Sequence, residues 1–241
     1  MNYTDNFYFD ISDYYTLRHD IKVFFNVIKK DGVKGLLKRA KKHLYFRYKN
    51  VDFSPENLFD LSVKGENRQK GSTYHAVLEK PFIEILERIK EIDPNITEGN
   101  FLDYGSGKGF SLYKASQFGF LKVTGVEFAK RLVDISIKNL KNLNINNAKI
   151  CYEDASDFVV PSDVRVIFFY NPFNEEIMKK VLKKILEAKE RFLGDVYIAY
   201  HYPICKNLFE KEKNIIFLEE IFCSFSNETT YLYKLKADRK T

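Results

Sequence analysis

The chain has 241 residues, of which 45% are hydrophobic and 16% aromatic, and its net charge is +6. This length is enough for one sizeable hydrophobic core with a small additional segment. The three cysteines, Cys151, Cys205 and Cys223, stand far apart without partners at metal-ligand spacing, which excludes a disulfide-rich scaffold and predicts no metal site. No window approaches the roughly 18 apolar residues of a membrane span and no signal segment is recognised, so we expect a cytoplasmic protein.

The positive charge is concentrated in one segment. Residues 22–49 carry ten Lys or Arg against a single acid, Asp31, so the remainder of the chain is slightly acidic. Apolar residues at helical spacing predict two helices here, over 17–30 and 33–45, after a loosely ordered arm over 1–16. Three interpretations stay open: a helical cap on the main domain, peripheral attachment to an anionic membrane, or contact with nucleic acid phosphates.

From residue 73 onward the pattern changes to alternating strands and helices, which is typical of a parallel sheet with crossover helices. We therefore predict two parts, a basic helical extension and linker over 1–72 and a main domain over 73–241. Helices of the main domain are predicted over 76–91, 111–118, 129–142 and 175–191. Strands are predicted over 100–104, 122–127, 148–152, 165–170 and 195–200, followed by a hairpin over 215–224 and 229–236.

The strongest motif is a glycine-rich turn between the first strand and the next helix. Three alternating glycines follow Asp103 there: Gly105, Gly107 and Gly109. Glycines permit a tight turn and let a ligand lie against bare backbone, close to the free N–H groups of a helix start. A dinucleotide fingerprint needs its third glycine where Phe110 stands, so the spacing disfavours a nicotinamide dehydrogenase.

This Asp-x-Gly-x-Gly-x-Gly pattern resembles that of class I, seven-strand S-adenosylmethionine-dependent methyltransferases. Gly-Val-Glu-Phe at 125–128 and Tyr-Asn-Pro-Phe at 170–173 agree with it, and the resemblance, closest to small bacterial methyltransferases, covers residues 76–236. It implies S-adenosylmethionine as cofactor and an α/β, Rossmann-like fold. That fold would be a mostly parallel seven-stranded sheet ending in an antiparallel hairpin, with the N-terminal helical extension added.

The resemblance also implies how the cofactor would be held. The loop would contact the methionine part, whose ammonium favours a nearby carboxylate, and Glu127 would accept both ribose hydroxyls. Asp154 and the backbone after it would meet the adenine. The residues predicted to bind the cofactor are Asp103, Tyr104, Gly105, Ser106, Gly107, Gly109, Glu127, Phe128, Asp154, Ala155 and Asn171.

The predicted catalytic residues are Asn171, Pro172, Phe173 and His201. Asn-Pro-Phe resembles the Asp/Asn-Pro-Pro-aromatic motif of amino methyltransferases, in which oxygen atoms hold the target N–H, although the second proline is missing here. An amine or amide acceptor is therefore favoured over a hydroxyl. A hydroxyl acceptor would need a general base, for which His201 and His75 are the candidates.

The sequence thus predicts an S-adenosylmethionine-dependent methyltransferase whose acceptor it leaves unidentified. Two alternatives stay open. The chain could bind S-adenosylmethionine without methylating, with a basic arm that binds RNA or a membrane, or it could be an O-methyltransferase that uses a histidine base. An aminopropyl transferase is disfavoured because that class usually has acids where Asn171 stands.

Overall fold

The computed structural model describes residues 21–56, 74–223 and 227–237, with the backbone alone at residues 21–31, 36, 38 and 39. The predicted arm and the greater part of the predicted linker lie outside the described residues. The α-helices described are α1 (Ile21–Tyr48), α2 (Glu79–Ile92), α3 (Phe110–Phe118), α4 (Lys130–Asn142), α5 (Glu175–Glu187) and α6 (Lys206–Glu210). The strands are β1 (Asn100–Tyr104), β2 (Lys122–Glu127), β3 (Ala148–Tyr152), β4 (Val164–Tyr170), β5 (Val196–His201), β6 (Ile215–Cys223) and β7 (Glu228–Leu235).

The seven strands form one sheet in the order β3-β2-β1-β4-β5-β7-β6. The first five of these strands in the sheet are parallel, whereas β7 runs antiparallel to both β5 and β6. The predicted Rossmann-like α/β fold with a terminal antiparallel hairpin is confirmed. Strand order reverses direction at β1, whose neighbours are β2 and β4, and open α/β sheets bind ligands at the carboxyl ends of strands beside such a switch point.

Helices cover both faces of the sheet. α5 covers one face with five buried apolar side chains at helical spacing: Ile177, Met178, Val181, Leu182 and Ile185. On the other face, the ring of Phe82 from α2 packs between Phe101 and Phe168, with centroids 5.7 and 5.1 Å away. Because both faces are covered, β4 is a nearly continuous apolar run rather than an alternating one.

The basic extension is helical, with a break at Gly32. From residue 21 onward the two predicted helices are halves of α1 that meet at this glycine, which has φ 65° and ψ −175°, and residues 17–20 of the first prediction lie outside the described residues. Beyond α1 the chain packs on the main domain through the buried ring of Phe53. The centroid of this ring lies 5.1 Å from that of Phe110 in α3 and 5.4 Å from that of Phe46 in α1. The domain boundary after residue 72 stays a prediction. Within the described ranges no helix is long and apolar enough to cross a membrane.

Two short segments differ from the predicted elements. The helix predicted over 175–191 ends at Glu187, and a separate 3₁₀ turn covers Lys189–Arg191. The helix α6 was not predicted, because five residues make fewer than two turns and give no periodic signal.

Candidate functional site

The glycine-rich loop between β1 and α3 follows the backbone of β2. The N–H groups of Gly105 and Ser106 both donate to the carbonyl oxygen of Val126, at 2.9 and 3.1 Å. Positive φ angles, which favour glycine, occur at the three glycines of the motif: Gly105 (80°), Gly107 (52°) and Gly109 (83°). A Cβ atom on Gly105 would lie 2.7 Å from Cβ of Pro172, so the loop directly contacts the predicted Asn-Pro-Phe motif.

Asp103 lies near the end of β1 with its side chain buried. The hydroxyl of Ser111, in the first turn of α3, donates a hydrogen bond to its carboxylate. Burial raises the pKa of Asp103 to about 7; the Ser111 hydrogen bond opposes this shift and the charge of Glu127 adds to it. The carboxyl group therefore changes its protonation state near neutral pH.

Glu127 ends β2 and connects two backbone segments. Its Oε2 accepts the N–H of Gly107 at 2.9 Å, and its Oε1 accepts the N–H of Ala129 at 2.9 Å. Burial raises the pKa of Glu127, and hydrogen bonds from the backbone of Ala129, Gly107 and Phe128 act against that rise. A carboxylate has about four acceptor positions, so these backbone hydrogen bonds do not use all of them.

Three other predicted residues around the loop have side chains in different surroundings. The ring of Tyr104 is in the core on the α5 face, stacked on Phe169 at 5.2 Å. Phe128 is partly buried against the small apolar cluster around Tyr74. The Oγ of Ser106 is buried and has no hydrogen-bond partner within the described part of the chain. The hydroxyl of Tyr104 is likewise buried without a partner among the described residues, so two of these three residues carry an unpartnered side-chain oxygen.

The predicted adenine contacts lie next to Glu127. The N–H of Glu153 donates to the carbonyl oxygen of Glu127 at 3.1 Å, which joins the ends of β3 and β2. Asp154 Oδ1 accepts both the N–H and the Oγ of Ser156, at 2.9 and 2.8 Å, and so closes a tight turn. Ala155 is buried in the core. The structure thus brings the predicted ribose and adenine positions to adjacent strand ends.

The Asn-Pro-Phe motif leaves β4 at the same edge of the sheet. Asn171 has φ 38°, and its N–H donates to the carbonyl oxygen of His201 at 3.1 Å. Its side-chain Oδ1 is buried and accepts no hydrogen bond from the described residues. The ring of Phe173 packs edge-on against Tyr104 and Phe169, at 6.4 and 6.5 Å. The loop after β4 therefore directs one unsatisfied acceptor into the interior.

His201 belongs to a hydrogen-bonded cluster beside Asn171. The ring of His201 is buried, with Nδ1 2.8 Å from Thr230 Oγ1 and Nε2 2.9 Å from Glu228 Oε2. The hydroxyl of Tyr170 donates to the other carboxylate oxygen of Glu228 at 3.2 Å. Burial lowers the pKa of the nearby His75, and the charge of Glu228 opposes this. Both ring nitrogens of His201 are thus engaged within the protein.

Two residues that were not predicted as site residues lie at the loop. The ring of Tyr74 covers the second glycine so closely that a Cβ atom on Gly107 would lie 2.1 Å from Tyr74 Cε2. Lys108 is almost fully buried, and its ammonium pairs with Asp52 and Glu56. A lysine between two glycines and a lone aromatic residue before a helix give no sequence signal that separates them from surface residues.

A family model described as a methyltransferase domain matches residues 97–234, which is more than half of the chain. The chain belongs to this family. It is an S-adenosylmethionine-dependent methyltransferase, as its motifs implied. No curated protein matches the sequence of this methyltransferase.

Solved structures share the fold of this methyltransferase. A putative methyltransferase from Escherichia coli is 19% identical, with 74% of this chain and 92% of that chain covered and a TM-score of 0.54. A putative methylase from Haemophilus influenzae is 21% identical, with 66% and 98% covered and a TM-score of 0.53. A SAM-dependent methyltransferase from Aquifex aeolicus is 14% identical, with 66% and 100% covered and a TM-score of 0.51. At these identities the likeness establishes the common fold.

The residues at the carboxyl edge of the methyltransferase sheet fit this cofactor. Asp103 and Glu127 are buried carboxylates, and neither forms an ion pair within residues 21–56, 74–223 and 227–237. Buried charges are normally paired, so two buried acids beside a glycine loop suit a ligand that brings an ammonium and hydroxyl groups. Among these same residues no group of three or more His, Cys, Asp or Glu could hold a metal ion.

Proposed function

We propose that this methyltransferase transfers the methyl group to an amine or amide nitrogen. The buried, unpartnered Oδ1 of Asn171 is the observation that carries this proposal, because an unsatisfied buried acceptor is costly and an N–H of the methyl acceptor would satisfy it. The φ of 38° at Asn171 fits this role, since asparagine tolerates the left-handed region better than most residues. The hydrogen bond to His201 further fixes the backbone at this position.

The protein has little proton chemistry to perform in such a transfer. S-adenosylmethionine supplies, when bound, a methyl group on a positively charged sulfur that is already a good leaving group. Asn171 would orient the nitrogen lone pair, and the rings of Phe173 and Tyr104 would help to exclude water beside it. A hydroxyl acceptor would instead need a free base, whereas both ring nitrogens of His201, one of the two candidate histidines, already have partners.

We further propose that Asp103, with the loop backbone, holds the cofactor's methionine part, that Glu127 holds the ribose and that Asp154 with Ala155 holds the adenine. The buried carboxylates of Asp103 and Glu127, both without a cationic partner in the described chain, support this assignment. Calorimetry separates it from the dehydrogenase alternative. S-adenosylhomocysteine should bind and NAD should not.

The acceptor proposal is tested with S-adenosylmethionine that carries a labelled methyl group. The full-length protein is incubated with panels of amines, amides, sugars, lipids, peptides and RNA, and the labelled product is analysed by mass spectrometry and NMR. We expect the label on nitrogen. A label on oxygen would overturn the proposal and return the histidine-base alternative.

Cofactor binding should depend on pH through Asp103. Because its pKa is raised to about 7, the carboxyl is largely protonated at pH 6 and ionised at pH 8, and the ionised form attracts the ammonium of the ligand. The affinity for S-adenosylhomocysteine should therefore rise by up to about tenfold between pH 6 and pH 8. Calorimetry over this range provides the measurement, with Asp103→Asn as the variant that should lose the rise. A flat profile for the native protein would contradict the role of Asp103.

The basic segment supports a second proposal, that residues 22–49 attach the enzyme to an anionic membrane surface. Three apolar side chains at helical spacing are more than 60% exposed on α1, namely Val33, Leu37 and Leu44. Exposed lysines, Lys34 and Lys41, stand among them. Exposed apolar residues beside cations favour a lipid interface over a simple solvated face.

Replacing Lys34, Lys38, Arg39 and Lys41 with glutamine should weaken binding to vesicles that contain anionic lipid. Each cation near such a surface contributes about 1 kcal/mol at low salt, and added salt should remove most of the effect. Lys42 is left in place because its ammonium pairs with Glu79 at 2.7 Å. Vesicle sedimentation at about 50 mM salt is the measurement. Binding to RNA but not to vesicles, or binding to neither, would overturn the membrane proposal.

A further inference from the structure

A segment outside the matched family domain lies across the cofactor loop. We call residues 51–56 together with residues 74–77 the strap. Glu56 and Tyr74 join its two parts through an antiparallel bridge, with N···O distances of 3.2 and 3.0 Å. Phe53 anchors the strap by burying its ring against Phe110 of α3. The strap thereby places the ring of Tyr74 on the backbone of Gly107.

The buried side chain of Lys108 connects the loop to the strap. Its side chain is only 1% exposed, and its ammonium lies 2.9 Å from Asp52 Oδ2 and 3.0 Å from Glu56 Oε2. It also donates to the hydroxyl of Ser54 at 3.1 Å. An ammonium has three donors, and here each has an oxygen partner from the strap. Removing one partner of a buried pair is destabilising because the remaining charge loses its compensation, so the position of Lys108 and that of the strap depend on each other.

Asn139 of α4 forms a second connection at the same place. Its amide accepts the N–H of Asp52 at 2.9 Å and donates to the carbonyl oxygens of Asp52 and Lys108, at 2.6 and 3.0 Å. Arg131, also on α4, pairs with Glu56. The loop, the strap and α4 are therefore joined by hydrogen bonds and ion pairs that all meet around Lys108.

The ring of Tyr74 lies against the loop that is proposed to hold the cofactor. Burial raises the pKa of Tyr74, the charges of Asp52, Asp103 and Glu127 raise it further, and a hydrogen bond with the backbone of Lys108 opposes the rise. The ring also lies against Gly107, the central glycine of the loop.

We propose that the Tyr74 ring forms one wall of the cofactor site and that Lys108, through Asp52 and Glu56, is the positioning residue that keeps it there. This rests on the proposed role of the loop in holding S-adenosylmethionine. It assigns a binding function to a segment that precedes the matched methyltransferase domain, and to a lysine whose ammonium pairs with that segment.

A matched pair of buried lysines on the same stretch of chain tests the proposal. Lys114 of α3 is 10% exposed and pairs with Glu79 at 2.7 Å, away from the strap. Lys108→Met and Lys114→Met should both lower the melting temperature, because each removes a buried ammonium from its ion pairs with carboxylates. Only Lys108→Met should weaken binding of S-adenosylhomocysteine in calorimetry, by about tenfold or more, with Lys114→Met within about twofold of the native protein.

Hydrogen exchange without any ligand gives a second readout. The amides of residues 105–109 should exchange faster in Lys108→Met than in Lys114→Met, since the loop loses its ion pairs with the strap and keeps the connection through Asn139. If Lys108→Met does not fold, Tyr74→Leu replaces it, because this change removes the ring and keeps every ion pair, and it should also weaken binding by about tenfold.

Equal affinities in Lys108→Met and Lys114→Met, or native affinity in Tyr74→Leu, would overturn this inference. Failure of the native protein to bind S-adenosylhomocysteine would instead remove the proposed cofactor site itself. The two failures are therefore distinguishable by the native control.

Discussion

Glu127→Ala is expected to lower the affinity for S-adenosylhomocysteine by a hundredfold or more. The carboxylate is proposed to accept two ribose hydroxyls, and hydrogen bonds to a charged group are worth about 1.5–3 kcal/mol each. Its loss also leaves the N–H groups of Gly107 and Ala129 without their acceptor, so the loop that would hold the methionine part loses a support. Calorimetry gives the affinity, and circular dichroism verifies that the variant is folded.

A control for Glu127→Ala comes from the opposite edge of the sheet. Asp163 precedes β4 and pairs with Lys122 at the amino ends of the strands. Asp163→Ala should leave the affinity unchanged, although it removes an acid from the same sheet. A folded Glu127→Ala variant that binds S-adenosylhomocysteine as well as Asp163→Ala would remove Glu127 from the cofactor site.

Asn171→Gly is expected to lower turnover about a hundredfold, with the affinity for S-adenosylhomocysteine within a few fold of the native value. The change removes the buried acceptor oxygen, and glycine accommodates the φ of 38° without strain. The measurement is the rate of methyl transfer to the acceptor identified in the labelled screen.

Asn174 supplies a matched asparagine in the same loop. Its side chain caps α5 by accepting the N–H of Ile177 at 3.1 Å, so Asn174→Ala should cost about 1 kcal/mol of stability and leave turnover near native. If Asn171→Gly lowers affinity and turnover equally, or lowers neither, then Asn171 serves only to shape the turn after β4.

The sheet could be predicted because its strands are short apolar runs that end at clear polar or glycine signals. β1, β2 and β3 match their predicted bounds residue for residue. The same reasoning could not place Phe53, which is a single aromatic residue in a polar stretch with no periodic neighbours. Its burial depends on contact with Phe110, more than fifty positions away in the chain, which no local pattern encodes.

The candidate site also contains residues that could be predicted from the sequence and residues that could not. The positions of Asp103, Glu127 and Asn171 could be predicted because each lies at or next to the carboxyl end of a strand, and parallel strands bring these ends to one edge. Lys108 could not be recognised, since its burial depends on two acids from the strap. Both ring nitrogens of His201 have hydrogen-bond partners on β7, which lies far along the chain from β5. Because these partners are distant in sequence, the sequence alone does not distinguish a catalytic base from a hydrogen-bonded structural histidine.

The position of β7 between β5 and β6 has a consequence for synthesis on the ribosome. β5 ends at His201, but the strand that covers its edge ends only at Leu235. At about 5–20 residues per second, residues 202–235 take a few seconds to translate, and the edge of β5 has no partner during that time. Because an unpaired strand edge can pair with other chains, the nascent protein is exposed to misassembly until β7 is made.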